Sequence, residues 1–151
     1  MTILEFQKEI AAALNGVENL VQGGCKAFAE DTATILNDIN TQLASTGGVA
    51  IAVTTPSLRK GGSEISGGLA IEGSLVLRIS EKPELNRKKP GHITALDAAL
   101  IAAQALDGTR LGLETIEQAF YPQSGNLTVS VTFAFTGVIS VRAKVSAIPE
   151  S

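Results

Sequence analysis

LTVSVTFAF, residues 127–135, decides the fold class: Leu127, Val129, Val131, Phe133 and Phe135 alternate with Thr128, Ser130 and Thr132. A period of two sends every large apolar side chain to one face, so this stretch is a half-buried strand lying on a core. Immediately upstream, Pro122 to Asn126 reads as a turn, and residues 111–121 show no clean period. Downstream, Gly137 marks a turn or kink. Beyond it Ile139, Val141, Ala143 and Val145 share one face, with Arg142 and Lys144 on the other.

Further upstream the period changes to that of a helix over 94–107. Thr94 followed three residues later by Asp97 resembles a capping box, and Asp107-Gly108 is a stop. Leu96, Leu100, Ile101 and Leu106 are the expected buried stripe, while Ala98, Ala99, Ala102, Ala103 and Ala105 permit close approach to a sheet.

At the other end of the chain, Ile3, Phe6, Ile10, Ala13, Leu14 and Val17 line one side of a first helix that ends near Asn15-Gly16. After Gly23-Gly24 a second helical pattern is expected through Phe28, Ile35, Leu36, Ile39 and Leu43, stopping before Gly47-Gly48. Val49, Ile51 and Val53 then form a strand that Thr54-Thr55-Pro56 terminates. Residues 57–68, SLRKGGSEISGG, have little to bury and read as a flexible excursion. A second strand follows through Leu69, Ile71, Leu75, Leu77 and Ile79, with Gly73 marking a bulge. The two strands make a long hairpin with an extended tip at 57–68, and residues 81–91 form a loop. The expected architecture is one α+β domain over 1–151: an antiparallel or mixed sheet with a long hairpin, packed by N-terminal helices and one helix at 94–107.

Composition narrows the function. A net charge of −3 is wrong for a chain built mainly to neutralise phosphates. Residues 59–89 are nonetheless locally positive, through Arg59, Lys60, Arg78, Lys82, Arg87, Lys88 and Lys89. A single cysteine, Cys25, excludes an intrachain disulfide or a cysteine zinc cluster, and a reducing compartment is expected. The start has Glu5, Lys8 and Glu9 among its apolar residues, and no 18-residue apolar run occurs, so neither a standard export signal nor a membrane span is expected.

Catalytic chemistry would have to use His92, the one histidine, yet no nucleophile motif accompanies it, so a structural or solvent-exposed role is expected. Glu30-Asp31 and Glu114-Thr115-Ile116-Glu117 are the nearest candidates for a metal site but read more simply as polar faces of a helix or strand, and the paired glycines match neither dinucleotide nor phosphate-loop patterns. No catalytic, cofactor or metal residue is therefore assigned, and the chain is not read as an enzyme. Arg87-Lys88-Lys89 with Lys82 lacks an aromatic stacking neighbour, so any phosphate contact there is nonspecific. Cys25 reads as a small apolar contact.

The order of features resembles the tail terminator, or tail-completion and neck, proteins of tailed bacteriophages and phage-like particles. The matching residues are 49–56 (VAIAVTTP), 75–87 (LVLRISEKPELNR), the helix 94–106 and the strand 127–135. Within them, Glu81-Lys-Pro-Glu-Leu-Asn-Arg87 is similar to the Glu-x-Pro-x-x-Asn turn of some of these proteins. The resemblance spans residues 3–145, and the chain departs from it in its two expected N-terminal helices and longer hairpin tip. It implies a virion protein, assembled in the bacterial host cytoplasm, forming a ring, typically a hexamer. Such a ring ends the tail tube and joins it to neck and connector proteins. Leu58, Arg59, Lys60, Glu64 and Ile65 would then be an inter-subunit arm, and Lys82, Arg87, Lys88 and Lys89 channel or interface charges, with nonspecific DNA contact and no membrane. The alternatives are a head–tail connector or baseplate subunit and, in a different class, a small enzyme or ligand-binding domain using His92.

Overall fold

A computed structural model describes residues 2–30, 47–61, 69–107, 113–123 and 126–139. Its elements, in chain order, are α1 (Ile3–Asn15), α2 (Glu18–Gln22), β1 (Cys25–Ala29), β2 (Val49–Val53), β3 (Ser57–Lys60), β4 (Leu69–Glu81), α3 (Pro83–Asn86), α4 (Ala95–Leu106), β5 (Leu113–Gln123) and β6 (Asn126–Ile139). The fold is α+β. Its sheet runs β1-β2-β4-β6-β5, with β3 also paired to β4; β1 and β2 are parallel and every other pair is antiparallel.

The alternation in β6 sets one face of this sheet. Register pairs Val129 with Ile79, Val131 with Leu77 and Phe133 with Leu75, and β2 continues the rows with Ile51 opposite Ile79 and Val53 opposite Leu77. All of these side chains are buried, and α1 and α4 lie against them through Ile10, Leu14, Ala98, Ala99 and Ala102. Phe6 adds its ring beside Phe135, centroids 5.0 Å apart. Burying this face is the main source of stability, at about 25 cal/mol per Å² of apolar surface.

α1 starts at a full capping box: Glu5 N–H donates to Thr2 Oγ1, and Thr2 N–H donates to the Glu5 carboxylate, both at 3.1 Å. Two of its polar side chains, Gln7 and Asn15, bond to the sheet backbone. Gln7 is buried, and its Nε2 donates to Glu30 O (3.0 Å) and Val53 O (2.9 Å), tying together the ends of the parallel pair.

Several expectations need correction. The segment after Gly24 begins as a strand: Cys25–Ala29 pairs with β2, so Phe28 lies in β1 and not at the start of a helix. Cys25–Ala29 reads CKAFA, with no β-branched residue and one aromatic, so over five residues its pattern does not separate a strand from a helix. The rest of that expected helix, 31–46, falls outside the described residues, as do residues 141–145.

The first four residues of the expected flexible excursion form β3, and Gly61 N–H donates to Ala70 O at 2.8 Å, extending the ladder. All four are exposed, so burial left no trace in their sequence. Of the stretch 111–121, which lacks a clean period, residues 113–121 lie in the edge strand β5, and Pro122 belongs to that strand instead of a turn. An edge position tolerates proline because its missing N–H faces away from the ladder. Gly137 does not interrupt β6, which stays in register with β4 as far as Ile139.

Gly73 is not a bulge; a Cβ there would meet Phe135 Cζ at 2.5 Å and Leu58 Cδ2 at 2.8 Å, so its bare Cα makes room for the ring. The irregularity lies instead in β5, between Thr115 and Glu117. In α4 the expected stripe is rotated: Ala95, Ala98, Ala99, Ala102 and Leu106 are buried, whereas Leu96 and Leu100 are 42% and 57% exposed. A helix apolar nearly all round has no unique face, and close packing on the sheet selects the alanines.

Candidate interaction surfaces

The basic loop is built on a buried polar knot. Glu81 ends β4 on the apolar face and is fully buried. Its Oε2 accepts from Asn86 Nδ2 at 2.6 Å and its Oε1 from the Ala95 N–H at 3.1 Å, which opens α4. Asn86 Nδ2 also donates to Ile93 O at 2.8 Å. With both amide hydrogens used, Asn86 Oδ1 is the acceptor for His92 Nδ1 at 2.9 Å, which fixes the proton on Nδ1. Beneath the imidazole, Gly24 sits at φ +85°, where a Cβ would lie 2.6 Å from the ring. Ile93 N–H donates to Gly23 O at 3.0 Å, so the first glycine pair is clamped to this loop.

Residues 81–91 are thus not a simple loop. Pro83 occupies the first turn of α3, where its absent N–H is harmless, and one helical turn delivers Asn86 back onto Glu81. A single turn has too few residues for an apolar period, which is why the sequence conceals it. Lys82 is half-buried, and Arg87, Lys88 and Lys89 stand exposed on the turn that follows. The loop that carries them is anchored from below by Asn86 and Ile93.

Leu58, Arg59 and Lys60 occupy β3, while Glu64 and Ile65 lie outside the described residues. The arm is broader than a two-stranded hairpin, because β6 runs along the other side of β4 and pairs Ile139 with Leu69. β2 and β3 flank the same side of β4, separated by Thr54–Pro56, and Thr54 Oγ1 donates to Val76 O at 2.6 Å across that break. Arg59 bridges to Glu72 at 2.9 Å, an exposed pair of small energetic weight.

Cys25 is buried in the core, and burial, aided by the nearby Glu81 carboxylate, pushes its thiol up to about 12. Such a thiol is a poor nucleophile at neutral pH. Among the described residues no three His, Cys, Asp or Glu side chains cluster as a metal site, and no helix is long and apolar enough to cross a membrane.

No protein-family model and no curated protein matches the chain. Among solved structures, a chain in the virion of a native gene transfer agent (GTA) particle is similar to it, at 15% identity and a TM-score of 0.49, over 90% of this chain and 91% of that one.

Proposed function

We propose that this chain is a structural subunit of a phage or phage-like tail, forming a ring that terminates the tail tube and joins it to the neck. The supporting observation is the order of parts around the Glu81–Asn86 turn: a hairpin arm of β2 and β3 with β4, then the turn, α4 across the sheet, and closing strands β5 and β6. That order and the Glu-x-Pro-x-x-Asn residues are those in which the sequence resembles tail terminators. In this reading the partners are further copies of the chain, the tube protein and connector proteins.

The arm residues Leu58, Arg59 and Lys60 contact a neighbouring subunit. Lys82, Arg87, Lys88 and Lys89 face either the channel, with its nonspecific DNA, or the next component. Polar work of this kind needs no reacting group, and the polar residues of the Glu81 knot are already committed to each other.

Native mass measurement and electron microscopy of the purified protein test the reading, the expected result being a closed ring of countable subunits that binds the ends of tail tubes. A protein that stays monomeric at high concentration and ignores tube ends overturns it. Binding to portal or baseplate partners instead would favour a connector or baseplate subunit.

A further inference from the structure

The sheet seals one of its outer edges, and among the described residues two others carry no such seal. On β1, Asn15 Nδ2 donates to Ala27 O and Asn15 Oδ1 accepts the Ala27 N–H, both at 2.8 Å. The side-chain amide thus supplies the two bonds that a neighbouring strand would make. The outer edges of β3 and β5 have no comparable partner among the described residues. Open strand edges are templates for pairing with another chain.

Backbone alternation identifies the groups on offer. Because Gly61 N–H donates to Ala70 O, residues 61, 59 and 57 turn towards β4, and Leu58 and Lys60 turn their N–H and C=O outwards. On β5, Pro122 opposite Leu127 has no N–H to give β6, which places it in the outward set. Gln118 and Phe120 share its parity. The two edges lie on opposite sides of the sheet, since β3 flanks β4 on the side of β2 while β5 lies beyond β6.

Their charges are opposite. β3 reads SLRK, with no acid, and since Arg59 is bridged to Glu72 of β4, Lys60 is the charge it offers a partner; β5 reads LETIEQAFYPQ, with Glu114 and Glu117 and no base. Pairing β3 with β3, or β5 with β5, sets like charges across a ladder and is disfavoured, whereas β3 against β5 joins unlike charges.

We infer that the occupant of both open edges is a second copy of this chain, β3 of one subunit adding to β5 of the next and carrying the sheet across the contact. The inference rests on the oligomeric reading above and specifies its contact. Because the two surfaces differ, the contact is heterologous and repeats from copy to copy, and it closes into a ring when the rotation allows.

Sedimentation velocity and native mass measurement of the full chain test it, using Lys60→Glu, Glu117→Lys, the double variant and Leu58→Pro. Each single charge reversal is expected to lose the assembled species at concentrations where the wild type is assembled, and the double variant to regain it. Leu58→Pro removes an outward N–H and spares the β4 ladder, so it is expected to be monomeric with an unchanged circular dichroism spectrum. Should that variant unfold, the charge pair reads the same contact. A wild type that assembles together with variants that assemble equally well, or a double variant that fails to recover, overturns edge pairing and leaves the oligomeric reading standing. A wild type that is monomeric throughout overturns both.

Discussion

Glu81 shares a row across the sheet with Cys25, Val49 and Leu127, and it is the one acidic residue in that row. Its two carboxyl oxygens accept the Asn86 amide and the first N–H of α4, so truncation strands two buried donors. Glu81→Ala, and Asn86→Ala more mildly, are expected to destabilise the fold by about 1–3 kcal/mol, read as a lower denaturant midpoint. Unchanged midpoints would show that the knot contributes nothing. Cys25 gives a pH dependence with a definite sign. The unfolded thiol ionises near 9.0 and the folded one near 12, so in that window the unfolded chain has released a proton that the folded chain keeps. This contribution to stability is therefore intact below pH 9 and declines as pH rises towards 12. Denaturation of wild type and Cys25→Ala at pH 8 and above pH 10 should show the steeper alkaline loss in the wild type.

At the scale of elements, α4 and β6 differ in how well their sequences announce them. The alternation of 127–135 has one reading, because a strand with one wet face must segregate its side chains by parity. The helix has more apolar residues than one face can hold, and its alanines win the buried side because they bring the helix close to β4 and β6. Ala99→Leu should then force the helix off the sheet and cost about 1–3 kcal/mol. Leu100→Ser, by contrast, should change stability by no more than about 0.5 kcal/mol. Equal costs at the two positions in thermal melts would contradict the observed orientation. β3 and β5 went unrecognised for a different reason. Both are held by backbone bonding to a long neighbour, β4 or β6, and β3, exposed along its whole length, needed no burial pattern in its sequence.

For the molecule as a whole, the question is which surfaces remain available once the core has formed. Asn15 closes the β1 edge, whereas among the described residues β3 and β5 carry no such closure and the basic turn after α3 stands exposed. If β3 and β5 join copies through opposite charges, added salt should weaken assembly at the contact, since the Debye length falls from about 10 Å at 0.1 M to about 3 Å at 1 M. Sedimentation velocity across that range checks this, and assembly that strengthens with salt would point to an apolar contact instead.

The chain's own residues determined the α+β class, the strand at 127–135, the helix at 3–15, the capped helix at 94–106, the strand at 49–53 and the absence of a nucleophile motif. These are local consequences of periodicity, caps and composition, which act over one or two turns or a single strand. The tertiary structure decided the rest: the parallel β1, the exposed β3, the edge strand β5, the rotation of α4, and the meeting of Glu81, Asn86 and His92. Each of those depends on a partner far along the chain or on a hydrogen bond between side chains, and neither leaves a periodic mark in the sequence.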